Sequence, residues 1–401
     1  MATRMKLTTL TFSWDEVSPG ADYKSAVVRE EISQLASSLH NIRVLCLVNP
    51  AITGLARIAR LRYLEVLTLK MYDPLVSSSN PGSPLLFAAL RDLTLIVDDP
   101  RDQFLSEVYS PHKMDHAVDF LRNCNPLQLV SFELLGEHLI TSSLNEMLAI
   151  LAERVALPLW LHTITVALIQ AIERIFDPDD GMSLRPLFRF GNLRVLRIEL
   201  SWGVDLGDAL LRDLAMAFPR LEILSLAYDV AYDDEDVRPC AYSTRVPPRP
   251  KTSLAGLAAL VYWCRNLREL TITMDFDPPG TPGLPEWVLQ GRARRPLKKF
   301  NTADSRIGNT PWLAVWFLAA TFGQLDEVNT LHVREYPYAT QYYPAHTYLK
   351  ELHEYGAVWR KVNELLLPSK AMFSSGARVS IEQIEAALQD YREESSEEDH
   401  S

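Results

Sequence analysis

A six-residue pattern of apolar positions recurs along the chain. Positions one, four and six are apolar, and Arg, Glu or Asp usually follows the first. The clear copies are IRVLCL from Ile42, LEVLTL from Leu64, LRDLTL from Leu90, LRVLRI from Leu193, LEILSL from Leu221 and LRELTI from Leu267. Weaker copies are LTTLTF from Leu7, LQLVSF from Leu127, LHTITV from Leu161 and VNTLHV from Val328. Because successive side chains of a strand point to opposite faces, each copy predicts a short strand with one buried face.

The spacing of the copies predicts a repeat architecture. The starts at Ile42, Leu64 and Leu90 bound units of 22 and 26 residues, and those at Leu193 and Leu221 bound one of 28. These lengths lie within or near the interval of about 20 to 29 residues that is typical of leucine-rich repeats. The longer gaps elsewhere indicate insertions or degraded units.

Segments between the copies have helical periodicity. Residues 23–39, 205–218 and 254–263 place apolar side chains three and four positions apart, as amphipathic helices do. Stacked parallel strands would bury their leucines against such helices. The pattern therefore predicts an α/β leucine-rich-repeat solenoid, a horseshoe with a parallel concave sheet, outer helices and irregular repeat lengths. The alternative is an ordinary α/β domain whose parallel strands are rich in leucine.

We expect three segments along the chain. The solenoid covers residues 1–345, and a C-terminal helical cap covers 346–394. The cap includes a helix opened by the capping-box pair Ser380 and Gln383. Residues 395–401 are charged, contain no apolar side chain and are expected to form a disordered acidic tail.

The charge and cysteine content narrow the functional classes. The 401 residues carry 40 Lys and Arg against 51 Asp and Glu, a formal charge of −11. Nucleic-acid binding depends on clustered cations, so this balance argues against it. The four cysteines are widely spaced and form no CxxC, which predicts neither a disulfide framework nor a cysteine zinc site. We expect a soluble cytoplasmic or nuclear protein.

Two uncharged stretches, residues 155–172 and 307–325, reach the roughly 18 to 20 residues that a membrane helix needs. Both contain proline and several polar side chains, which are costly in lipid. We therefore predict a buried strand and a buried helix, and no membrane association.

Sequence signatures of catalysis are missing. The chain contains no P-loop, HExxH, GxSxG or GxGxxG phrase, so no enzyme and no cofactor are predicted. His112, Asp115, His116 and Asp119 would share one helical face, and two histidines four residues apart can bind zinc. We expect that face to be solvated and predict no metal site. The basic run RARRPLKK at residues 292–299 is either a nuclear localisation or phosphate-binding patch or a solvated connection, and the acidic chain favours the connection.

Several phrases resemble a known family. FGNLRVLRIEL, FPRLEILSLAY and WCRNLRELTITM, together with AVWRKVNELLLP at residues 357–368, resemble the leucine-rich-repeat region of fungal F-box proteins, especially the basidiomycete set. The resemblance covers roughly residues 39–368. It implies repeats that hold a protein substrate, and an N-terminal F-box that docks on a ubiquitin-ligase adaptor. The first forty residues lack the LPxE-type opening of an F-box, so only substrate recognition follows.

The sequence therefore predicts a non-enzymatic scaffold that binds another protein on a concave repeat surface. Charged residues between the leucines are expected to face outward as a recognition row of alternating charge. The predicted row consists of Arg43, Glu65, Lys70, Arg91, Asp92, Arg194, Arg197, Glu199, Glu222, Arg268 and Glu269. Reversing Arg194 and Arg197 to Glu is expected to abolish partner capture without unfolding. The alternative function is a substrate receptor of an SCF-type ubiquitin ligase whose F-box is missing from this chain, with ligase components as further partners.

Overall fold

The computed structural model describes residues 7–11, 26–50, 52–71, 85–97, 113–138, 141–170, 184–200, 204, 206–226, 250–276, 296–303, 305–307, 311–325, 327–330 and 347–374. The chain divides into unit 1, residues 1–201, and unit 2, residues 202–401. Each unit has its own strands, helices and core.

Unit 1 is built on parallel strands. They are β1 (Thr9–Thr11), β2 (Val44–Val48), β3 (Val66–Met71), β4 (Leu85–Phe87), β5 (Asp92–Val97), β6 (Cys124–Pro126), β7 (Ser131–His138), β8 (Thr163–Gln170) and β9 (Val195–Leu200). The main sheet has the order β1-β2-β3-β5-β7-β8-β9, and every neighbouring pair is parallel. Strands β4 and β6 form a separate parallel pair.

The leucines of the hexapeptide are in register across this sheet and form its buried face. The fourth position supplies one row, and the sixth position supplies the next. The first row is Leu45, Leu67, Leu93, Phe132, Ile164 and Leu196, and the second is Leu47, Leu69, Leu95, Leu134, Val166 and Ile198. All of these side chains are buried. Because burying one such side chain contributes about 1.5–3 kcal/mol, the two rows supply much of the stability of unit 1.

The helices of unit 1 follow the strands. They are α1 (Ala26–Ser38), α2 (Ile52–Ile58), α3 (Lys113–Asn123) and α4 (Thr141–Arg154), with 3-10 helices at Pro158–Trp160 and Arg185–Arg189. Helix α4 shows why they form, because Leu144, Met147, Leu148 and Leu151 recur at helical spacing and are all buried. Part of the uncharged stretch 155–172 is strand β8, as predicted.

Unit 2 repeats this arrangement with shorter strands. They are β10 (Ile223–Ser225), β11 (Glu269–Thr271), β12 (Lys299–Asn301) and β13 (Val328–Asn329), paired in parallel in that order. Its helices are α5 (Asp208–Ala217), α6 (Leu254–Trp263), α7 (Trp312–Thr321) and α8 (Thr347–Ser374). Helix α7 fills part of the second uncharged stretch and buries all its side chains from Ala314 to Thr321, so the predicted buried helix is confirmed. Of the helices in the described ranges, none is long and apolar enough to cross a membrane.

Side-chain hydrogen bonds join successive helices in unit 2. The backbone N–H and the hydroxyl of Ser253 both donate to the Asp208 carboxylate, at 2.7 and 2.6 Å. The same hydroxyl accepts from the N–H of Ala255 at 3.1 Å and caps α6. One serine thus satisfies the start of α6 and ties it to α5.

The C-terminal helix α8 packs beside the last strand of unit 2. The Asn363 amide accepts from the N–H of Val328 at 2.8 Å and donates to the carbonyl of Val328 at 2.9 Å. The Trp359 indole N–H donates to the Ser305 carbonyl at 3.2 Å, and its ring meets Phe276 edge-on at 4.9 Å. The predicted boundaries at 345 and 394 stay predictions, and Ser380, Gln383 and the tail at 395–401 lie outside the described residues.

Both units therefore have an α/β leucine-rich-repeat fold, in which parallel strands bury the leucine face against helices. This fold class confirms the prediction from spacing. The predicted helices at 23–39, 205–218 and 254–263 are also confirmed as α1, α5 and α6, within three residues at each end.

Candidate protein-binding face

The face of the unit 1 sheet opposite the leucines is half-exposed. We call it the sheet face and define it by three rows of residues on β2, β3, β5, β7, β8 and β9. The rows are Val44, Val66, Asp92, Ser131, Thr163 and Val195; Cys46, Thr68, Thr94, Glu133, Thr165 and Arg197; and Val48, Lys70, Ile96, Leu135, Ala167 and Glu199. Their side chains are partly accessible, except those of Val48 and Glu199, which are buried. The backbone groups are used in the strand ladders, so side chains are what the sheet face offers a partner.

Hydroxyl and aliphatic side chains dominate the sheet face. Its middle row contains Thr68, Thr94 and Thr165, and the hydroxyl of Thr94 donates to Oε2 of Glu133 at 3.1 Å. Threonine suits such a position because its branched side chain packs on a pleated surface while its hydroxyl remains available. The face is therefore mainly neutral, with isolated charges.

A second row of side chains precedes the strands. We call it the strand-start row, and it consists of Arg43, Glu65, Arg91, Val130, His162 and Arg194. From Glu65 onward, each residue donates its backbone N–H to the carbonyl of the preceding residue in the row, at 2.7 to 2.8 Å. The side chains of Arg43, Arg91 and Arg194 are exposed, and Arg43 lies 3.5 Å from Glu65.

The predicted recognition residues fall into separate rows. The strand-start row takes Arg43, Glu65, Arg91 and Arg194, whereas the sheet face takes Lys70, Asp92, Arg197 and Glu199. Unit 2 holds Glu222, Arg268 and Glu269. The expected single row of alternating charge is therefore corrected to two rows in unit 1. The second hexapeptide position precedes the strand, whereas the third and fifth positions and the residue after the sixth lie on it. The participation of these residues in binding stays a prediction.

Glu199 and Arg197 need a further correction. The Glu199 side chain is buried, with a relative exposure of 7%, so it offers little surface to a partner. Its Oε1 lies 3.6 Å from Nη1 of Arg197. Replacing Arg197 by Glu would place two carboxylates together at a buried position, which is costly. The Arg197 reversal is therefore expected to destabilise the fold, in contrast to the expectation from the sequence, whereas Arg194 is exposed and suits such a test.

Burial changes the acidity of two groups on the sheet face. It raises the pKa of Asp92 above its ordinary value, an effect that Arg91 opposes and Glu65 reinforces. It also raises the pKa of the Cys46 thiol, and Lys70 opposes this shift. Both side chains are thus partly desolvated before any partner arrives.

Unit 2 has its own, shorter strand-start row. The backbone N–H groups of Arg268 and Lys298 donate to the carbonyls of Glu222 and Arg268, both at 2.8 Å, and form its strand-start row. The residues that follow Arg268 and Lys298 form an ion pair, in which Nζ of Lys299 lies 3.2 Å from Oε1 of Glu269. This pair is exposed at the lysine and contributes little stability. Lys299 belongs to the basic run at 292–299, of which 292–295 lie outside the described residues.

The sequence did not identify Glu133 as a residue of the sheet face, and it did not identify His162 as a residue of the strand-start row. Two weak copies of the hexapeptide were also placed out of register. Phe132 aligns with Leu93, so that copy begins at Leu129 rather than Leu127. Val328 aligns with Phe300, so it is the fourth position of its copy rather than the first. A search for polar residues at the fifth position of every copy would have found Thr68, Thr94 and Thr165.

The metal-like constellation on α3 does not form a solvated face. His116 is buried, with a relative exposure of 9%, whereas Asp115 is exposed and Asp119 accepts from Arg122 at 2.8 Å. His112 lies outside the described residues. In the part of the chain that the structure describes, no three His, Cys, Asp or Glu side chains come together as a metal site requires.

Comparisons with known proteins identify no family for this chain. No protein-family model matches the chain, and the comparison with curated proteins found no match. Among solved structures, the chain is similar to an internalin (inlF) from Listeria monocytogenes str. 4b F2365, at 13% identity over 79% of this chain and 80% of that one. The TM-score of 0.28 is too low to carry an argument. None of these findings supports the F-box family.

Proposed function

We propose that this protein is a non-enzymatic interaction scaffold that binds a partner protein on the sheet face of unit 1. The observation that supports this is the contrast between the two faces of one sheet. The leucine rows are fully buried, while the opposite rows remain half-exposed over six strands in register. A rigid face of this kind holds many side chains in fixed positions, which lowers the entropy cost of binding.

The size of the sheet face indicates how a partner would use it. With strands about 4.8 Å apart and about 3.3 Å per residue, the face measures on the order of 400–500 Å² in projection. A stable protein interface buries about 800 Å² per partner. A partner on the sheet face would therefore also contact neighbouring surface, of which the strand-start row is the adjoining charged part.

A paired set of variants tests the proposal. Thr68→Arg with Thr165→Arg fills the middle row of the sheet face with long side chains. Ala149→Arg with Ala209→Arg adds the same charge at exposed helix positions on α4 and α5. In quantitative affinity purification from native cells, proteins enriched on the wild-type chain should fall at least tenfold on the first double variant and persist on the second. Equal enrichment on all three chains would refute binding at this face.

The resemblance to F-box proteins suggests the alternative role of a ubiquitin-ligase substrate receptor. Because the F-box is the part that binds the ligase adaptor, this role is tested by reading the gene upstream: an in-frame exon that encodes an F-box, and a longer product that co-purifies with the adaptor, would support it. The ligase role stays a prediction that rests on the resemblance alone.

A further inference from the structure

An apolar cluster lies exposed between α4 and β8 in unit 1. Leu157, Leu159 and Trp160 keep 43%, 59% and 45% of their surface accessible. Single exposed apolar residues are common in proteins, but contiguous ones mark interaction sites. We call these three residues together with Val130 and His162 the anchor patch.

The anchor patch contains a shallow, open depression in the surface, which we call the pocket. Val130, Leu159, Trp160 and His162 line a shallow cavity of about 270 Å³. This is below the roughly 300–1,000 Å³ of pockets for drug-sized ligands, and it suits a single side chain. The 3-10 helix that carries two of the lining residues is fixed by two hydrogen bonds. The backbone N–H of Trp160 donates to the Leu157 carbonyl at 3.0 Å, and the side-chain amide of Asn192 donates to the Leu159 carbonyl at 2.9 Å.

Arginines stand on both sides of this pocket. Val130 and His162 occupy the middle of the strand-start row, where Arg91 precedes them and Arg194 follows. With strands about 4.8 Å apart, the two arginine backbones are roughly 14 Å apart. Asp92 lies beside Arg91 and partly offsets its positive charge, and Glu65 lies 3.5 Å from Arg43. With three arginines and one glutamate, the strand-start row has a net positive formal charge, although the chain as a whole carries −11.

We infer that the anchor patch binds an acidic peptide segment of the partner protein, with one large apolar side chain in the pocket and carboxylates beside Arg91 and Arg194. This inference rests on the proposed function and adds the chemistry of the partner. A buried aromatic or aliphatic anchor surrounded by charged rim contacts is the usual arrangement of an interface hot spot. Arginine favours carboxylates because its planar group can donate two parallel hydrogen bonds.

Peptide selection on the full chain tests the inference. Displayed random peptides would be selected on the wild-type chain, and the enriched peptides would be synthesised with a fluorescent label. The expected consensus is an aromatic or large aliphatic residue with Asp or Glu on both sides. Binding of those peptides should weaken at least tenfold in Trp160→Ser and in Arg91→Glu with Arg194→Glu. It should also weaken severalfold between low and high salt, because the rim contacts are ionic.

Trp263→Ser is the matched control, because Trp263 on α6 is also an exposed tryptophan, at 41%. It should leave peptide binding unchanged. Thermal melts of all variants check that the fold is retained. The inference is overturned if no peptide is enriched, if the enriched peptides are basic, or if Trp160→Ser binds them as the wild type does. It is also overturned if single-stranded DNA displaces the peptides at equal charge concentration.

The two proposals can fail separately. In one case, the Thr68→Arg and Thr165→Arg chain loses its cellular partner while Trp160→Ser retains both partner and peptides. Binding at the sheet face is then supported, and peptide binding at the anchor patch is refuted. In the other case, the sheet-face variant retains the partner while Trp160→Ser loses the acidic peptides. Binding at the sheet face is then refuted, and peptide binding at the anchor patch is supported.

Discussion

The environment of the sheet face changes the pKa of the Asp92 carboxylate. Burial is the main cause that raises its pKa, Arg91 lowers it and Glu65 raises it. We therefore expect Arg91→Gln to raise the pKa of Asp92 further and Glu65→Gln to lower it. A carboxyl-carbon NMR titration, assigned by loss of the signal in Asp92→Asn, would measure both shifts.

The same shift has a consequence for stability. The folded state holds the Asp92 proton more tightly than the unfolded state, whose pKa is about 3.9. The contribution of Asp92 to stability therefore falls as pH rises through the interval just above this value. At pH 7 Asp92→Asn should therefore be slightly more stable than the wild type, and the gain should be small because solvent screens a partly exposed group. Urea unfolding at pH 3 and pH 7 would test this, and a larger gain at pH 3 would contradict it.

At the residue scale, burial could be predicted only where one register fitted the pattern. In the clear copies, positions one, four and six were assigned correctly, as Leu64, Leu67 and Leu69 show by their burial. The weak copy near residue 130 contains apolar residues at both 127 and 129, so two registers fit equally and the wrong one was chosen. Glu199 and His116 were misjudged because the burial of a polar side chain depends on neighbours distant in sequence.

At the scale of elements, the contact between α1 and α2 depends on one glycine. A Cβ added at Gly54 would overlap the Cβ and Oγ of Ser33, which is itself fully buried. Gly54→Ala should therefore destabilise the chain by about 1–3 kcal/mol, as overpacked cores do, despite the better helix propensity of alanine. Urea unfolding followed by circular dichroism and by labelling of the buried Cys124 thiol in unit 1 would measure the loss.

Two variants control this experiment. An added Cβ at Gly207 meets no atom within 4 Å, so Gly207→Ala should cost only the difference between glycine and alanine at the N-cap of α5, at most about 1 kcal/mol. Adding Ser33→Gly to Gly54→Ala removes the overlapping atoms and should recover part of the loss. If Gly54→Ala alone were as stable as the wild type, the close approach of the two helices would be wrong.

Whole elements were easier to predict than the contacts between them. Helices α1, α5 and α6 followed from apolar spacing, and the clear hexapeptides all became strands. The approach of Gly54 to Ser33, and the bond from Ser253 to Asp208, join residues in different repeats. No local pattern encodes such pairs, since each partner alone is an ordinary small or polar residue. The anchor patch was missed for the same reason, because it combines residues before β7 and β8.

At the scale of the whole chain, the sequence predicted the fold class because parallel stacking needs only a repeated apolar pattern. The division into units 1 and 2 had no such signal, because the hexapeptide recurs on both sides of residue 201. The function proposed from the sequence was only a class, because the specificity of a mainly neutral sheet face would depend on the partner.

The C-terminal helix leads to a prediction at this scale. Strand β13 ends the strand row of unit 2, and Asn363 of α8 satisfies both the N–H and the carbonyl of Val328. A chain ending at His346 would lose these bonds and the Trp359 ring that covers Phe276, leaving an unpaired strand edge beside apolar surface. We expect it to aggregate, as measured by light scattering and size-exclusion chromatography, whereas a chain ending at Ser374 should stay dispersed.

Asn363→Asp separates the strand edge from the bulk of the helix. The carboxylate can still accept from the Val328 N–H, but it cannot donate to the Val328 carbonyl and places a charge against it. An unsatisfied buried polar group costs about 1–3 kcal/mol. The free energy of unfolding should therefore fall by that amount, although α8 is still present. Glu364→Gln, one residue along and exposed, should have no comparable effect. If the chain ending at His346 were as dispersed and as stable as the chain ending at Ser374, α8 would have no protective role at this edge.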